Sequence, residues 1–589
     1  MTSKECPYLD TVNRAALDFD FEPTCSETLT TGTNIYACLV CGTFFRGRGK
    51  QTPAYLHSVN EGHSVFLNLT SGKFYCLPDN YEIDDPSLKD VKDAFRPLFS
   101  KEDIESLDKE KTLGRDLFGR RYLRGFVGLN NLNKTDGMNA VIQALAHVKP
   151  LRDFFLKCGS GESFEITLNI ASSKKKFTKK RKGSDGKKIS VDSSNTKQTK
   201  VTIDPSTFSR LADCFGDIVR KIWSNKRFKC TVDPHLLVQA ISVASNKRFT
   251  IGKQIDAAEF IAWFLNQLHL GIGGGRKAGS SIIHAIFQGS IEITSRQKKN
   301  LDDTMNGKDI DDRLGSDDED DILQKEEAKA REKESQTDVI EEISTTTNFL
   351  QLTLDIPEKP LLKDDSGGLV IPQEPLVNIL KKFDGVTFND VLVSQPNGVE
   401  KEQKRRYRIQ KLPNHLILCL SRFKRNLFNN EKNQTIVPFP VKNFDLTRYV
   451  YSDNKPSMKA PSEKEIRNMN VKELKELLST YGRSDLASGV VEKDELVNMC
   501  IDFVSKSLPD MLSEKYDLIA NISHVIQAEV GREGKSDPLE DGSYRCHVQH
   551  KATNQWYEMQ DLHISEVMPQ QIGVSESFVL IFAKKNAAI

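Results

Sequence analysis

The sequence lacks any run of 18 consecutive apolar residues, which excludes a membrane-spanning helix. Its first ten residues, MTSKECPYLD, lack the apolar segment of a secretory signal, so we expect no such signal. Only 11 of the 589 residues are cysteine, too few for a fold held together by disulfides. An excess of either charge is missing too, because 83 Lys and Arg balance 82 Asp and Glu. The net charge of +1 therefore gives no general argument for nucleic-acid binding.

What the sequence does contain is an alternation of helical and strand-like patterns after about residue 125. The segment MNAVIQALAHVKPLRDFF has apolar residues at helical spacing from Met138 to Val148, and DAAEFIAWFLNQLHL repeats that pattern. HLILCL, residues 415–420, is a short continuous apolar run of the kind that forms a buried strand. Strand-like runs with turn signals follow near the C-terminus, among them SYRCHVQH, QWYEMQ and SFVLIFAKK. These patterns predict an α+β fold.

Three stretches interrupt this alternation. Residues 172–200 are basic and rich in Ser and Thr, and residues 298–345 are acidic and polar. Both have too few apolar residues to fold, so we expect them to be disordered. Residues 452–505 are rich in Lys and Glu, and their apolar spacing predicts a helical insertion. Within it, residues 469–500 resemble a SAP-like helix-loop-helix, a fold that often contacts nucleic acid, although its leucines equally form a small core.

Two short charged motifs leave their roles open. Nine Lys and Arg lie among the fifteen residues 174–188, which suits nuclear import, phosphate contact or simply a solvated loop. SDDEDD, residues 316–321, fits acidophilic phosphorylation at Ser316 and fits plain solvating charge equally well.

The first 105 residues hold five of the eleven cysteines, and two of them belong to the series Cys38-x2-Cys41-x15-His57-x5-His63. Two thiolates from one tight turn and two imidazoles can complete the tetrahedron that zinc requires. The alternatives are two small buried cysteines with two surface histidines, or a DNA-reading finger. A DNA-reading finger is disfavoured because no tandem copy follows and the intervening GTFFRGRGKQTPAYL is rich in glycine. We expect the other cysteines of this module, Cys6, Cys25 and Cys76, to pack as small apolar side chains.

YACLVCGTFFRGRG, AYLHSVNEGHSVFLNL and KFYCLPDN together resemble the UBP-type zinc finger that accompanies ubiquitin-specific proteases. Fuller versions of that finger bind up to three zinc ions. The resemblance implies a single structural Zn²⁺ here, because Thr28, Arg46 and Asp79 stand where further cysteines are expected. Fingers of this family grip the free C-terminus of ubiquitin with an arginine and an aromatic residue. Arg48 and Tyr36 occupy comparable places in this sequence.

Six later stretches resemble, in the family's order, the catalytic domain of ubiquitin-specific proteases, which has a papain-like fold. They are VGLNNLNKTDGMNAVIQAL, IDAAEFIAWFL, LPNHLILCLSRFKRN, VPFPVKNFDL and SYRCHVQH with WYEMQDLHISEV. The resemblance divides the chain into a finger at 1–105, a linker at 106–121 and a protease-like domain at 122–585. The two CxxC pairs that carry a further zinc in many family members do not follow Gly289 here.

Cysteine proteases need a thiolate nucleophile, a histidine base, a residue that orients the base and an oxyanion donor. The resemblance places Asp136 at the nucleophile, Ser543 at the base, Gln560 and the adjacent Asp561 at the orienting position, and Asn131 at the oxyanion donor. A carboxylate that attacked an isopeptide would form an anhydride, a far worse intermediate than a thioester. We expect Asp136 instead to cap the following helix.

No nearby histidine is expected to replace the missing base. In an extended strand His547 lies about 13 Å from Ser543, and His550 lies on the opposite face. A pair of acids, Asp136 and Asp561, that activates a water is a further alternative, and it requires the two carboxylates to be in close contact. These losses predict a pseudoenzyme, with an active deubiquitinase as the competing hypothesis.

The reduced finger, Asp136 and the sequence Gly542-Ser543-Tyr544 together resemble the splicing-associated members of this family. That resemblance implies a nuclear, non-catalytic scaffold that supports the spliceosomal tri-snRNP in pre-mRNA splicing. It implies tri-snRNP proteins and snRNA as partners, without a membrane. A protein that only binds ubiquitin or a ubiquitin-like protein is the alternative.

Overall fold

The computed structural model describes residues 6–171, 196–298, 340–358, 362–363, 369–394, 400–425, 430–451, 463–480, 492–504, 513–526 and 537–585. Helices and strands are numbered in chain order within these ranges. No helix in them is both long and apolar enough to cross a membrane.

The N-terminal module is an antiparallel sheet of five strands with one helix packed on it. Pro53 in the first turn of that helix and Gly62 at its end, with φ of 72°, fix its two ends. Its elements are β1 (Ile35–Cys38), β2 (Phe44–Arg46), α1 (Pro53–Glu61), β3 (Val65–Asn68), β4 (Phe74–Cys76) and β5 (Tyr81–Ile83). The sheet order is β2-β1-β3-β4-β5. Cys6, Cys25 and Cys76 are buried in the apolar core of this module, which confirms their expected packing.

Residues 106–121, expected to form a linker, are folded. The helices α2 (Lys89–Phe95) and α3 (Lys101–Ser106) precede a hairpin of β6 (Leu113–Arg115) and β7 (Arg121–Leu123). The Asp108 carboxylate accepts hydrogen bonds from both terminal nitrogens of the buried Arg152, at 2.9 and 3.0 Å. These bonds attach the segment to the domain that follows.

The first half of the protease-like domain is mainly helical. Its elements are β8 (Gly128–Leu129), α4 (Asp136–Ala146), α5 (Lys149–Lys157), β9 (Phe164–Ala171), β10 (Thr196–Ile203), α6 (Arg210–Trp223), β11 (Thr231–Val232), α7 (His235–Ala244), α8 (Ala257–Gly271) and α9 (Ile282–Phe287). The helix α8 confirms one of the two periodic segments found in the sequence, and the other is helical but divided between α4 and α5. All eleven residues of α4 are buried, because the helix lies between its neighbours and the large sheet of the second half.

The second half is mainly β-structure. Its elements are β12 (Gly289–Lys298), β13 (Ile340–Phe349), β14 (Leu352–Asp355), β15 (Leu362–Lys363), β16 (Leu369–Val370), α10 (Leu376–Ile379), β17 (Asn389–Ser394), β18 (Glu400–Lys411), β19 (His415–Ser421), β20 (Phe423–Arg425), β21 (Asn430–Lys432), β22 (Phe444–Asp445), α11 (Glu463–Asn468), α12 (Val471–Thr480), α13 (Lys493–Asp502), β23 (Lys515–Ile526), β24 (Gly542–His550), β25 (Gln555–Gln560), β26 (His563–Val567), α14 (Pro569–Gly573) and β27 (Ser577–Lys584).

The largest sheet has eight strands in the order β14-β19-β27-β23-β24-β25-β26, with β22 paired to β23. One apolar cluster joins one face of this sheet to α4 and α8, and a second covers other sheet residues, including Leu418 and Trp556. The strand predicted at 415–420 is confirmed as the buried β19. A separate sheet of four strands has the order β13-β12-β18-β17.

The ends of both expected disordered insertions are strands. Residues 196–200 belong to β10, which pairs with β9, and residues 340–345 belong to β13, which pairs with β12. The expectation was wrong at these ends, because a paired neighbour supplies the backbone hydrogen bonds that polar, β-branched segments cannot supply alone. Residues 172–195 and 299–339, including Ser316 and the basic run, lie outside the described residues.

The helical insertion predicted at 452–505 is confirmed over its described parts by α11, α12 and α13. Their apolar side chains form a small core of their own, with Leu474, Leu478 and Leu496 buried at its centre.

Candidate functional site

The predicted metal ligands meet at one point of the N-terminal module. Cys38 ends β1, and Gly42, with φ of 78°, closes the tight turn that carries Cys41. His57 lies on α1, and His63 follows the end of that helix. One donor atom from each of the four residues lies within 4.8 Å of all the others.

Two sulfur–nitrogen distances among these atoms match a tetrahedral zinc site. The Cys38 Sγ atom lies 3.6 Å from Nδ1 of His63, and the Cys41 Sγ atom lies 3.5 Å from Nε2 of His57. Zinc bonds of about 2.3 Å to sulfur and about 2.05 Å to nitrogen place such neighbours about 3.6 Å apart. Burial raises the pKa of the Cys38 thiol to about 12, so a cation is needed to hold it as a thiolate. The four residues therefore fit a zinc ion and could hold one.

The positions where further zinc ligands were expected are occupied differently. Thr28 shares a hydrogen bond of 2.8 Å with Thr30. No second group of three or more Cys, His, Asp or Glu side chains converges in this way anywhere in the described ranges.

The residues comparable to a ubiquitin-tail pocket contact one another. The Arg48 guanidinium lies 4.2 Å from the centre of the Tyr75 ring and donates to Asn80 at 2.9 Å. Tyr36 is 3% exposed and packs edge-on against the same Tyr75. Both residues thus make internal contacts.

Asp136 occupies the first turn of α4, but it does not cap that helix. The N-cap residue is Thr135, and the Asp136 carboxylate points across to β24. It accepts a hydrogen bond from the backbone N–H of Tyr544 at 2.7 Å and one from Nε2 of Gln254 at 3.2 Å. The expected capping role was wrong, because the carboxylate accepts a hydrogen bond from the backbone of the neighbouring strand β24 instead of from the first turn of α4. Burial raises the pKa of Asp136, and the nearby charge of Asp561 raises it further.

Asp561 connects two asparagines at the same centre. Its carboxylate accepts from Nδ2 of Asn131 and from Nδ2 of Asn139, each at 2.9 Å. Asn131 also accepts from the backbone N–H of Thr135 at 3.1 Å. Within the described chain no hydrogen bond joins the two carboxylates of Asp136 and Asp561, as a water-activating acid pair requires.

The residues at the base and orienting positions bond to each other. Nε2 of Gln560 lies 3.2 Å from the Ser543 hydroxyl. Such a pair of a neutral amide and a hydroxyl cannot take a proton near neutral pH, whereas an imidazole can.

Two nearby histidines are hydrogen-bonded to other residues, and a third is buried without a partner among the described residues. His547 bonds to Glu558 at 3.0 Å, and His550 bonds to Thr553 at 2.9 Å. His524 is fully buried beside Gly542, and neither ring nitrogen has a partner among the described residues. Burial lowers the pKa of His524 to about 3, helped by the charges of two nearby cations. It is therefore neutral and has no hydrogen bond through which to pass a proton.

The sequence reasoning missed three members of this centre: Gln254, Asn139 and His524. The available signal for Asn139 was a polar residue within an otherwise apolar helical stretch, 2% exposed in the structure. Gln254 and His524 carried no comparable signal, because strand pairing and loop position alone bring them to the centre.

The comparisons with known proteins agree with this architecture. Residues 127–582 match the family model described as ubiquitin carboxyl-terminal hydrolase, and residues 24–88 match the zinc finger found in ubiquitin hydrolases and other proteins. The chain belongs to the ubiquitin carboxyl-terminal hydrolase family and carries this zinc-finger domain.

Its relatives define the branch more narrowly. The chain is 36% identical to mouse "Ubiquitin carboxyl-terminal hydrolase 39", over 99% of this chain and 81% of that protein. It is 31% identical to the "Probable mRNA-splicing protein ubp10" of Schizosaccharomyces pombe, over 98% of this chain and 88% of that protein. The solved structure of "an essential yeast splicing factor" matches with a TM-score of 0.58 and 22% identity, over 98% of this chain and all of that one, which supports the fold.

Proposed function

We propose that this chain is a non-catalytic, protease-like scaffold that acts in pre-mRNA splicing in the nucleus. In this proposal it supports the assembly or stability of the spliceosomal tri-snRNP through protein contacts, and its partners are tri-snRNP proteins and snRNA. The observation that carries the non-catalytic part is the Asp136 carboxylate, which is buried and bonded to the N–H of Tyr544.

Loss of catalysis follows from the chemistry of this centre. Acyl transfer to a nucleophile needs a deprotonated thiol or hydroxyl and a base that shuttles its proton. In our assignment Asp136 replaces the nucleophile, and Ser543 replaces the base. The residues at the other assigned positions make structural hydrogen bonds. Asn131 bonds to Asp561, and Gln560 bonds to Ser543.

The splicing part of the proposal is supported by near-full-length similarity to a protein named for mRNA splicing. We further propose that Cys38, Cys41, His57 and His63 hold one structural zinc, and that the finger spans 1–105 and the protease-like domain 122–585.

Gentle affinity purification of the full tagged chain, followed by RNA sequencing and protein identification, tests the splicing part. We expect the snRNAs of the tri-snRNP and core splicing proteins. Recovery of ubiquitin conjugates without these snRNAs would contradict the scaffold and favour a ubiquitin-binding protein.

A ubiquitin active-site probe and a diubiquitin substrate test the non-catalytic part on the purified chain. We expect neither labelling nor cleavage, with an active family member as the positive control. Cleavage that disappears in an Asp136→Ala variant would overturn the proposal.

A further inference from the structure

The hairpin of β6 and β7 presents an apolar and basic face that nothing in the described protein covers. Its inner face is buried: the ring of Tyr122 packs over Gly114, where a Cβ atom would lie 2.4 Å from the ring. Residues opposite each other in an antiparallel pair share a face, so Leu113, Arg115 and Arg121 lie together on the outer side. Leu113 is 48% exposed there.

The turn at the end of this hairpin is held rigidly. The Asp116 carboxylate accepts from the backbone N–H groups of Phe118 and Arg120 at 3.0 and 2.8 Å, and from Nε of Arg120 at 2.7 Å. The N–H of Leu117 donates to the carbonyl of Phe228 at 3.3 Å, which ties the turn to the neighbouring segment. This rigid turn nevertheless leaves Phe118 71% and Leu117 41% exposed. An aromatic side chain displayed on an ordered support loses little entropy on binding.

The charges on the outer face are unbalanced. Arg115 and Arg121 are direct cross-strand partners, an arrangement in which like charges repel. Neither makes an ion pair or a side-chain hydrogen bond within the described ranges, and Asp116, the acid of the turn itself, is buried and paired with Arg120. A repulsive pair of this kind lowers local stability. Because the two arginines have no internal counter-ion, their positive charge is available to an external anion.

We propose that this face, Leu113, Arg115, Leu117, Phe118 and Arg121, docks an acidic segment of a partner protein that also carries apolar side chains. Guanidinium groups bind carboxylates with two hydrogen bonds each, and aromatic side chains and Arg are enriched at protein interfaces. Two aliphatic leucines on the face favour a protein over RNA, because RNA offers phosphates and base faces but few aliphatic contacts. This inference stands on the surface itself and does not depend on the splicing role.

Site-specific photo-cross-linking in the full chain tests the proposal in cells. A photoreactive benzoylphenylalanine replaces Phe118, and the control places the same group at Val243, which is 74% exposed on another surface. We expect position 118, but not 243, to cross-link to a protein segment with several Asp or Glu and at least one apolar residue. Cross-links to RNA, to the acidic residues 298–345 of this chain, or to nothing would overturn the proposal.

Charge reversal separates binding from folding. Replacing both arginines, Arg115→Glu with Arg121→Glu, is expected to reduce the cross-link at position 118 by about tenfold or more. The single variant Arg121→Glu creates an attractive cross-strand pair with Arg115 and is expected to raise the melting temperature slightly while it weakens the cross-link. Arg121→Gln serves as the milder variant. Cross-linking that is unchanged in the charge-reversed chain, or a lower melting temperature of Arg121→Glu, would contradict this assignment.

Discussion

The N-terminal module and the protease-like domain each gather polar side chains from separate elements, but they satisfy them differently. In the domain these side chains form the centre around Asp136, Ser543 and Asp561, the cleft. In the module, two sulfur and two nitrogen donor atoms face one point. The sulfur–nitrogen distances of 3.5 and 3.6 Å are those expected around one shared cation. In the cleft, the carboxylates of Asp136 and Asp561 each accept N–H donors from the chain itself. Convergence of polar groups marks a binding or reactive site only where the protein does not already supply their partners.

The largest expected effect comes from removing a metal ligand of the module. We expect Cys41→Ser to lose the zinc and to unfold the module, because structural zinc contributes about 10–16 kcal/mol in isolated fingers, as much as a domain's total stability. The zinc content of the purified chain and the hydrogen exchange of β1 to β5 measure this. Cys230→Ser, outside the module, is the matched control and is expected to keep about one zinc per chain. A purified wild-type chain without zinc would contradict the inference that the four donor atoms of the module share a cation.

The next effect concerns the seam, which is the contact between the N-terminal module and α6 of the protease-like domain. Lys221 on α6 is buried and donates to Asp20 at 2.9 Å and to Asp217 at 3.0 Å. Removal of one partner of a buried ion pair is strongly unfavourable, and since Asp217 remains we expect Asp20→Ala to cost about 2 kcal/mol. Urea unfolding measures the cost, and proteolysis of residues 88–105 reports on loosening of the seam.

The control for the seam is Glu22→Ala, whose partner Arg210 has a side chain 59% exposed. Pairs of that kind contribute about 0–1 kcal/mol. Equal effects of the two variants would show that the buried lysine does not fasten the module to the domain.

A smaller effect is expected at the cleft. Asp136→Ala leaves the buried N–H of Tyr544 without its acceptor, and an unpaired buried donor costs about 1–3 kcal/mol. Asp136→Asn keeps an acceptor oxygen at the same place and is expected to cost less. Chemical unfolding of the two variants measures the difference, and an Ala variant as stable as the Asn variant would refute the bond's structural role.

The smallest effect is a difference in acid stability. The pKa of His524 is lowered to about 3 by burial, followed by the charges of Lys432 and Arg422, against about 6.5 in the unfolded chain. The unfolded chain therefore binds the extra proton first, and stability is lost as pH falls below 6.5. We expect His524→Phe to lose about 1 kcal/mol less than wild type between pH 7 and about pH 5.5.

Thermal unfolding at several pH values checks this last expectation. The exposed His563 supplies the control, since His563→Ala is expected to follow the wild-type curve. Identical pH dependence in His524→Phe and wild type would show that the cleft imidazole is not held neutral.

Much of the fold was predictable because its signals are local. The apolar spacing of α4 and α8, the continuous run of β19 and the helices of the 452–505 insertion follow from periodicity and all appear in the structure. The convergence of Cys38, Cys41, His57 and His63 follows from a tight turn and one short helix, so spacing alone predicted it. The strands at 196–200 and 340–345 were missed because their partners, β9 and β12, lie beyond a long insertion.

The sequence by itself determined the α+β class and the metal-binding module, because these depend on residue type and short-range spacing. Only its resemblance to a known family supplied the assignment of Asp136 and Ser543 to the nucleophile and base positions. Tertiary structure alone decided what Asp136 does, since its donors Gln254 and Tyr544 lie 118 and 408 residues away along the chain. It also decided that residues 113–123, which begin within the expected linker, form a hairpin with Phe118 exposed. Hydrogen-bond partners and exposure depend on which distant segments pack together, and that information is not contained in local pattern.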